Sequence, residues 1–124
     1  MNYTLATVNL FVRDIPTSRQ FYTEKLGIKA DEAQSDDSTF VFLPMKGECA
    51  LLLQAARTAD AGISTAPGGV EVGFEVDDVD ATWEAWKGSG VKMLNEPHDK
   101  PFGRTFNATD PDGHLLNVYK LVGR

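Results

Sequence analysis

The fold is indicated most clearly by residues 7–27, which run TVNLFVRDIPTSRQFYTEKLG. Apolar side chains occupy every second position of residues 7–12, and this period of two predicts a β-strand. A helix is expected directly after it, because Asp14 is a suitable N-cap and Pro16 suits a first helical turn. Gly27 favours the left-handed conformation that commonly ends a helix. The stretch therefore predicts a strand followed at once by a helix.

The same arrangement returns in the second half of the chain, at residues 70–90, VEVGFEVDDVDATWEAWKGSG. Its first seven residues again alternate, Asp78 is placed to cap a helix, and Gly90 is placed to end it. Asp78 lies 64 positions after Asp14, and Gly90 lies 63 positions after Gly27. One deletion within the second helix accounts for the difference. Recurrence of these features in one order indicates an internal duplication.

Each helix is followed by two further predicted strands joined by a turn. The predicted strands cover residues 39–43, 49–54, 104–109 and 114–121, and residues 57–69 are expected to be a linker or surface loop. We therefore predict an α+β fold of two tandem βαβββ modules, residues 1–62 and residues 63–124, that together make one structural domain.

Composition narrows the classes of function. The chain has 124 residues, a net charge of −6 and a single cysteine, which excludes a disulfide scaffold and favours a reduced, cytoplasmic protein. Its longest apolar runs are far shorter than the roughly 18 residues of a membrane span. The acidic balance without a basic cluster argues against nucleic-acid binding, which depends on neutralising phosphates.

One face of each first strand is expected to pack on its helix, and the opposite face is the candidate binding surface. That face is either exposed to solvent or lines a shared interior. The large apolar side chains predicted on it favour the second alternative. The residues predicted to share it, with Gly73 between the two glutamates, are Thr7, Asn9, Phe11, Phe42, Leu51, Leu53, Glu71, Glu75, Asn117 and Tyr119.

The duplicated strand and helix, together with the closing DPDGH at residues 110–114, resemble the vicinal oxygen chelate superfamily. That superfamily includes glyoxalase I, bleomycin resistance proteins, fosfomycin resistance proteins and extradiol dioxygenases. The resemblance implies paired βαβββ modules that form a U-shaped cup, usually within a homodimer. It also implies that metal-dependent members hold a divalent ion in the cup with His, Gln or Glu side chains from the first and last strand of each module.

Carried over to this chain, the metal-ligand positions fall on Thr7, Glu71, Asn117 and Leu51, with Leu53 as the alternative to Leu51. Only Glu71 is a standard ligand, because leucine cannot coordinate and neutral hydroxyl and amide oxygens bind transition metals weakly. We therefore expect no cofactor, with a divalent metal disfavoured.

Several residues outside this set are further candidates. His98 is expected in a loop over the mouth of the cup, and Arg104 is placed to meet an anionic group there or to be a plain surface arginine. His114 is expected on the face opposite Asn117, as a surface or loop histidine. Trp83 and Trp86 are expected in the core of the second module.

The leading functional hypothesis is binding of a small aromatic or cationic molecule in the cup, as in bleomycin-resistance-type proteins. Aromatic residues would supply stacking surface, and Glu71, Asn9 and Asn117 would orient the ligand. Two alternatives remain open. One is an enzyme, a glyoxalase-like lyase or isomerase or an extradiol-type dioxygenase, in which Glu71 is catalytic. The other is a non-catalytic interaction module.

Overall fold

The computed structural model describes Asn2, residues 4–66 and residues 70–123, so residues 67–69 of the predicted linker lie outside the described part. The chain forms two compact units, Met1–Ala66 and Pro67–Arg124. Each unit contains one β-sheet and one α-helix, which confirms the predicted α+β class. Among the described residues, no helix has the length and apolar character needed to cross a membrane.

The first unit contains a three-stranded sheet in the order β1-β3-β2, with β1 and β3 parallel and β2 antiparallel to β3. Its strands are β1 Thr7–Val12, β2 Phe40–Leu43 and β3 Ala50–Ala55. Its helix α1 covers Ile15–Gln20 and continues as a π-helical turn over Phe21–Lys25, and short 3-10 helices cover Glu32–Gln34 and Ala56–Thr58.

The segment after α1 runs beside β2 but has too few ladder bonds to be a regular strand. It is joined to β2 by a bridge between Asp36 and Phe40 and by the Asp31 N–H, which donates to the Phe42 carbonyl over 2.9 Å. The Asp36 carboxylate accepts bonds from the backbone N–H groups of Ser38 and Thr39. Such local bonds compete with the ladder, which explains why this part of the first module is irregular.

The second unit contains a five-stranded sheet in the order β4-β8-β7-β5, and β6 also pairs with β7. Its elements are β4 Glu71–Glu75, α2 Val79–Gly88, β5 Lys92–Met93, β6 His98–Lys100, β7 Gly103–Thr109 and β8 Leu115–Leu121. His98 therefore begins a strand, and the expectation that it lies in a loop is wrong.

Both helices begin and end as the sequence predicts. Asp14 caps α1 by accepting from the Thr17 N–H, and Asp78 caps α2 by accepting from the Ala81 N–H, each over 3.0 Å. At the end of α2, Gly90 has a φ of +84°, and the Val91 N–H returns to the carbonyl of Trp86 over 3.0 Å. A residue with a Cβ is strained in that left-handed conformation, so glycine is favoured there.

The core of each unit lies between its helix and one face of its sheet. In the second unit Trp86 is buried and packs edge-on against Phe74 and Phe106, with ring centroids 6.2 and 5.5 Å apart. Fully burying one such large apolar side chain contributes about 1.5–3 kcal/mol. The prediction of Trp86 as a core residue is confirmed, and the opposite face of this sheet remains available for function.

Candidate functional site

The face of the second sheet opposite α2, here called the open face, carries the polar residues that alternation predicts. Strand register pairs Gly73 of β4 with Asn117 of β8, and Asn117 with Asn107 of β7. Directly paired residues project to the same side of a sheet, so these positions share one face. The same register places Glu71, Glu75, Leu115, Tyr119, Thr105 and Thr109 on it.

The open face contains a cavity of about 400 Å³. Its lining residues are Glu71, Leu94, Asn95, Lys100, Phe102, Thr105, Asn107, Leu115 and Asn117. Leu94 and Phe102 are 49% and 44% exposed and give the cavity an apolar rim. A volume in this range is typical of sites for small molecules.

Three side-chain amides, Asn95, Asn107 and Asn117, form what we call the amide row of the cavity. The Asn95 Oδ1 accepts from the backbone N–H of Asn107 over 2.7 Å, and the Asn95 Nδ2 donates to the Asn107 Oδ1 over 3.1 Å. The Thr105 hydroxyl lies 2.5 Å from the Asn117 Oδ1 and 2.9 Å from the Val118 carbonyl oxygen. Each amide is therefore held in one orientation by its neighbours.

Helix α2 helps to position Asn95, the member of the amide row that lies outside the strands. The indole N–H of Trp83 donates to the backbone carbonyl of Asn95 over 3.1 Å, and the Leu94 N–H donates to the carbonyl of Asn107 over 2.9 Å. Trp83 is half-buried, with the Lys87 ammonium 4.7 Å from its ring centroid. The expectation that Trp83 belongs to the core is wrong, because its N–H is used to position the segment that carries Asn95.

A second row of side chains crosses the open face beside the amide row. Register joins Glu75, Tyr119, Thr105 and His98 in that order. His98 is half-buried, and its Nδ1 lies 2.8 Å from the Glu96 carbonyl oxygen. A carbonyl only accepts, so Nδ1 carries the proton, and the neutral ring has its lone pair on Nε2.

Arg104 does not face the cavity. It pairs in register with Lys120, on the opposite side of β7 from Thr105. Its guanidinium donates to both carboxylate oxygens of Asp80 over 2.7 and 2.9 Å, and to Asp99 over 2.9 Å. These bonds raise the pKa of Arg104 and lower the pKa of Asp80. Of the two expectations for Arg104, contact with an anionic ligand is wrong, because its side chain lies on the helix face of β7 and is paired with two aspartates. The alternative of a surface arginine agrees with its 38% exposed side chain.

The sheet of the first unit presents a polar and aromatic face, with one correction to its predicted membership. Register pairs Asn9 with Leu52 and Phe42 with Leu52, whereas Leu51 and Leu53 pair with Val8 and Leu10 on the helix face. Leu51 and Leu53 are buried at 3% and 0% exposure, so their predicted place beside the other candidates is wrong. Thr7, Asn9, Phe11, Phe42, Leu52 and Gln54 share the face, where the Asn9 Nδ2 donates to the Gln54 Oε1 over 2.8 Å.

The residues at the superfamily's metal positions do not fit a transition-metal ion. Glu71 is the single carboxylate among the described residues that line the cavity, and Asn117 has its oxygen bonded to Thr105. Leu51 and Leu53 have no donor atom and lie in the core. Neutral amide and hydroxyl oxygens are weak ligands for Mn, Ni, Zn or Fe, so Glu71 is the one strong ligand among the residues at these positions.

A second group with metal-ligand chemistry lies in the turn between β7 and β8, here called the Asp110 turn, residues 110–114. Asp110, Asp112 and His114 are all buried and have ligand atoms within 4.8 Å of one another. The Asp110 Oδ1 accepts from the N–H groups of Asp112 and His114 over 3.0 and 2.8 Å. Its Oδ2 accepts from the His114 Nδ1 over 2.7 Å.

These bonds give the Asp110 turn a structural role, which we call the structural lock: they hold the turn between β7 and β8 in one conformation. Both oxygens of Asp110 and the Nδ1 of His114 are occupied by protein partners, which leaves little donor capacity for an ion. The bond to Asp110 raises the pKa of His114, while burial opposes the shift. His114 lies in a loop as expected, but the expectation that it is a surface residue is wrong, because this turn buries the imidazole against the Asp110 carboxylate. The turn joins the strands that carry Asn107 and Asn117, and so it helps to fix their pairing.

Comparison with known proteins agrees with this architecture. Residues 4–118 match the Glyoxalase/Bleomycin resistance protein/Dioxygenase superfamily. The solution structure of protein ATC0852 from Agrobacterium tumefaciens has a TM-score of 0.81 and 35% identity, covering 98% of this chain and all of that one. The structure of TnmS3, an antibiotic binding protein from Streptomyces sp. CB03234, has a TM-score of 0.79 and 23% identity, covering 97% of each chain.

A shorter similarity links the chain to the phenazine antibiotic resistance protein EhpR of Enterobacter agglomerans. The two are 39% identical over 49 residues, which is 40% of this chain and 38% of that protein. The match over residues 4–118 confirms the resemblance suggested by the duplicated strand and helix, and the chain belongs to the Glyoxalase/Bleomycin resistance protein/Dioxygenase superfamily.

Proposed function

We propose that this protein binds a small planar aromatic molecule in the cavity on the open face of its second sheet. The observation that carries the proposal is the combination of an apolar rim with the amide row in one cavity. Leu94, Phe102 and Leu115 supply surface for a ring system, and the amides supply directed hydrogen bonds. Ligand sites typically combine apolar walls with a few polar groups that fix orientation.

The rigidity of the amide row supports the proposal. Asn95 is bonded through its backbone and its side chain, so little of its rotamer freedom remains to be lost when a ligand arrives. Ordering a flexible side chain on binding costs about 0.5–1.5 kcal/mol. A site already ordered in the free protein avoids that cost.

The comparisons support the same class of function. TnmS3 is named as an antibiotic binding protein, and EhpR is named as a phenazine antibiotic resistance protein. Similarity to these two proteins favours a role in binding a planar antibiotic-like compound. Phenazines are the test ligands of choice because their tricyclic ring is flat and carries only two ring nitrogens as polar atoms.

The enzymatic alternative, a glyoxalase-like lyase or isomerase or a dioxygenase, would use Glu71 either with a metal or as a metal-free base. The side chains around Glu71 do not favour a bound metal ion, so we propose that ligand binding at this site is independent of metal. Metal analysis of protein purified without chelator or an affinity metal tests this. Less than about a tenth of an equivalent of Fe, Mn, Ni or Zn is expected, and near-stoichiometric metal that is lost in Glu71→Ala would overturn it.

Calorimetric titration with three tricyclic probes tests the binding proposal. The probes are neutral phenazine, phenazine-1-carboxylate and the N-methylphenazinium cation. We expect saturable binding of at least one probe, weakened at least about tenfold in Asn107→Leu, which removes an amide at similar volume. Asn2→Leu is the matched control, because Asn2 is exposed and lies outside the cavity lining. Absence of saturable binding for all three probes contradicts the proposal.

A further inference from the structure

The hydrogen bonds within the amide row fix which atoms it leaves for a ligand. A backbone N–H can only donate, so the Asn95 side-chain atom 2.7 Å from the Asn107 N–H is the oxygen. The other terminal atom of Asn95 is then the nitrogen, which can only donate. The Asn107 side-chain atom that receives it, 3.1 Å away, is therefore Oδ1.

The side-chain amide of Asn117, like that of Asn107, has its oxygen in a hydrogen bond within the protein. One terminal atom of Asn117 lies 2.5 Å from the Thr105 hydroxyl, a distance that O–H···O bonds reach and N–H···O bonds ordinarily do not. The Val118 carbonyl oxygen is 2.9 Å from the same hydroxyl, so the single hydroxyl hydrogen is donated across the shorter contact, to Asn117. The atom bonded to Thr105 is therefore the Asn117 Oδ1. Asn107 and Asn117 thus both have their oxygens occupied, and within the described part of the chain their Nδ2 groups have no acceptor.

The cavity consequently offers donors from neighbouring strands side by side. Asn107 and Asn117 are a directly opposed pair, and such pairs place their Cβ atoms about 4.5–5.5 Å apart. Lys100 adds an ammonium to the same lining and forms no ion pair with any residue that the structure describes. Arg104, the other nearby cation, is already paired with Asp80 and Asp99.

We propose that the paired Nδ2 groups of Asn107 and Asn117, together with Lys100, make the cavity selective for planar molecules that carry hydrogen-bond acceptor oxygens, with aromatic acids bound in preference to aromatic cations. This inference rests on the proposed function and narrows its ligand class. The net charge of −6 and Glu71 act in the opposite sense. Distant charges, beyond about 8–10 Å, are largely screened at physiological salt, and Lys100 in the same lining offsets the charge of Glu71, so the contacting amide donors decide the preference.

The affinities of the three phenazine probes test the preference. We expect phenazine-1-carboxylate to bind the unmodified protein at least about tenfold more tightly than N-methylphenazinium, a difference of about 1.4 kcal/mol. Asn107→Asp and Asn117→Asp each keep the oxygen that Asn95 or Thr105 uses and replace the donor with an acceptor. Each should weaken the acid at least about tenfold and strengthen the cation.

Matched controls separate local hydrogen bonding from charge. Asn2→Asp makes the same change of charge outside the cavity and should keep the preference for the acid. Lys100→Met should weaken the acid and leave neutral phenazine within about twofold, whereas Lys29→Met should alter neither. Melting temperatures show whether each variant is folded, and because Asn107→Asp and Asn117→Asp lie on different strands, either one that folds provides the test.

The outcomes distinguish this inference from the function on which it rests. Equal or tighter binding of the cation by the unmodified protein overturns the inference and leaves the proposed function standing. An identical effect of Asn107→Asp and Asn2→Asp also overturns it. Failure of all three probes to bind contradicts both.

Discussion

Removing the Asp110 carboxylate tests whether the Asp110 turn holds β7 and β8 in register. The carboxylate accepts three hydrogen bonds, from the N–H groups of Asp112 and His114 and from the His114 Nδ1, at 2.7–3.0 Å. All three residues are buried. Asp110→Ala leaves these donors without that acceptor.

The size of the effect follows from the cost of unsatisfied groups. Each buried donor left without a partner costs about 1–3 kcal/mol, and breaking a buried ion pair by removing one partner costs about 3–5 kcal/mol. Because water entering the gap satisfies part of the deficit, we expect Asp110→Ala to lower the free energy of unfolding by about 3–5 kcal/mol. Small domains have about 5–15 kcal/mol in total, so the loss is a large fraction.

Asp110→Asn separates the contribution of the carboxylate charge to stability from the contribution of its hydrogen bonds to the backbone. Its Oδ1 can still accept from the two backbone N–H groups, but its Nδ2 opposes the His114 imidazolium and is compatible with the neutral ring. Asp110 raises the pKa of His114, so the charge-dependent stabilisation is full below the ordinary histidine pKa of about 6.5 and is lost as pH rises through the raised value. The cost of Asp110→Asn should therefore be larger at pH 5.5 than at pH 9.

Urea unfolding followed by tryptophan fluorescence at both pH values measures these free energies. Asp77→Ala and Asp77→Asn are matched controls at an exposed aspartate of the same unit and should each stay within about 0.5 kcal/mol. A cost below about 1 kcal/mol for Asp110→Ala, or equal costs of Asp110→Asn at the two pH values, refutes the structural lock.

Trp83→Phe removes the indole N–H that holds the Asn95 carbonyl, together with part of the ring surface, and should weaken probe binding several-fold while lowering stability by about 0.5–1.5 kcal/mol; unchanged affinity by calorimetry contradicts this positioning role. Arg104→Met should leave probe affinity within about twofold, since Arg104 is on the helix face, and a larger loss would place it at the cavity. Leu53→Ala should cost about 2–5 kcal/mol by urea unfolding and Leu52→Ala much less; the reverse order contradicts the assignment of faces.

The regular elements could be predicted because their signals are local. Alternation predicts strands at Thr7–Val12 and Glu71–Glu75 with few errors at their ends, and the cap residues Asp14 and Asp78 act within one helical turn. These patterns depend on short-range geometry that a sequence displays directly. The duplication and the resemblance to the superfamily could be predicted from the same local signals.

Errors arose where alternation is absent. Residues 51–53 are three consecutive leucines, so the pattern cannot say which of them faces the helix, and a slip of one position exchanges the faces. Pairing of Leu53 with Leu10 is what decides it, and that contact spans 43 residues of sequence. The buried state of His114 likewise depends on the closed geometry of its turn.

The amide row was only partly visible in the sequence. Thr105, Asn107 and Thr109 alternate with buried Phe106 and Ala108, a signal that predicts Asn107 on the same face as Asn117. Asn95 carried no such signal. Its place beside Asn107 depends on bonds from α2 and β7 to a segment without regular structure.

The central claim, that the cavity on the open face binds a planar molecule through the amide row, is tested most directly by NMR. The full chain, labelled uniformly with ¹⁵N, is titrated with phenazine-1-carboxylate while its side-chain amide resonances are followed. We predict saturable shifts at the Nδ2 groups of Asn107 and Asn117 that fit one dissociation constant, with the Asn2 side chain unaffected. Shifts that do not saturate, or saturable shifts that spare both Asn107 and Asn117, contradict the claim.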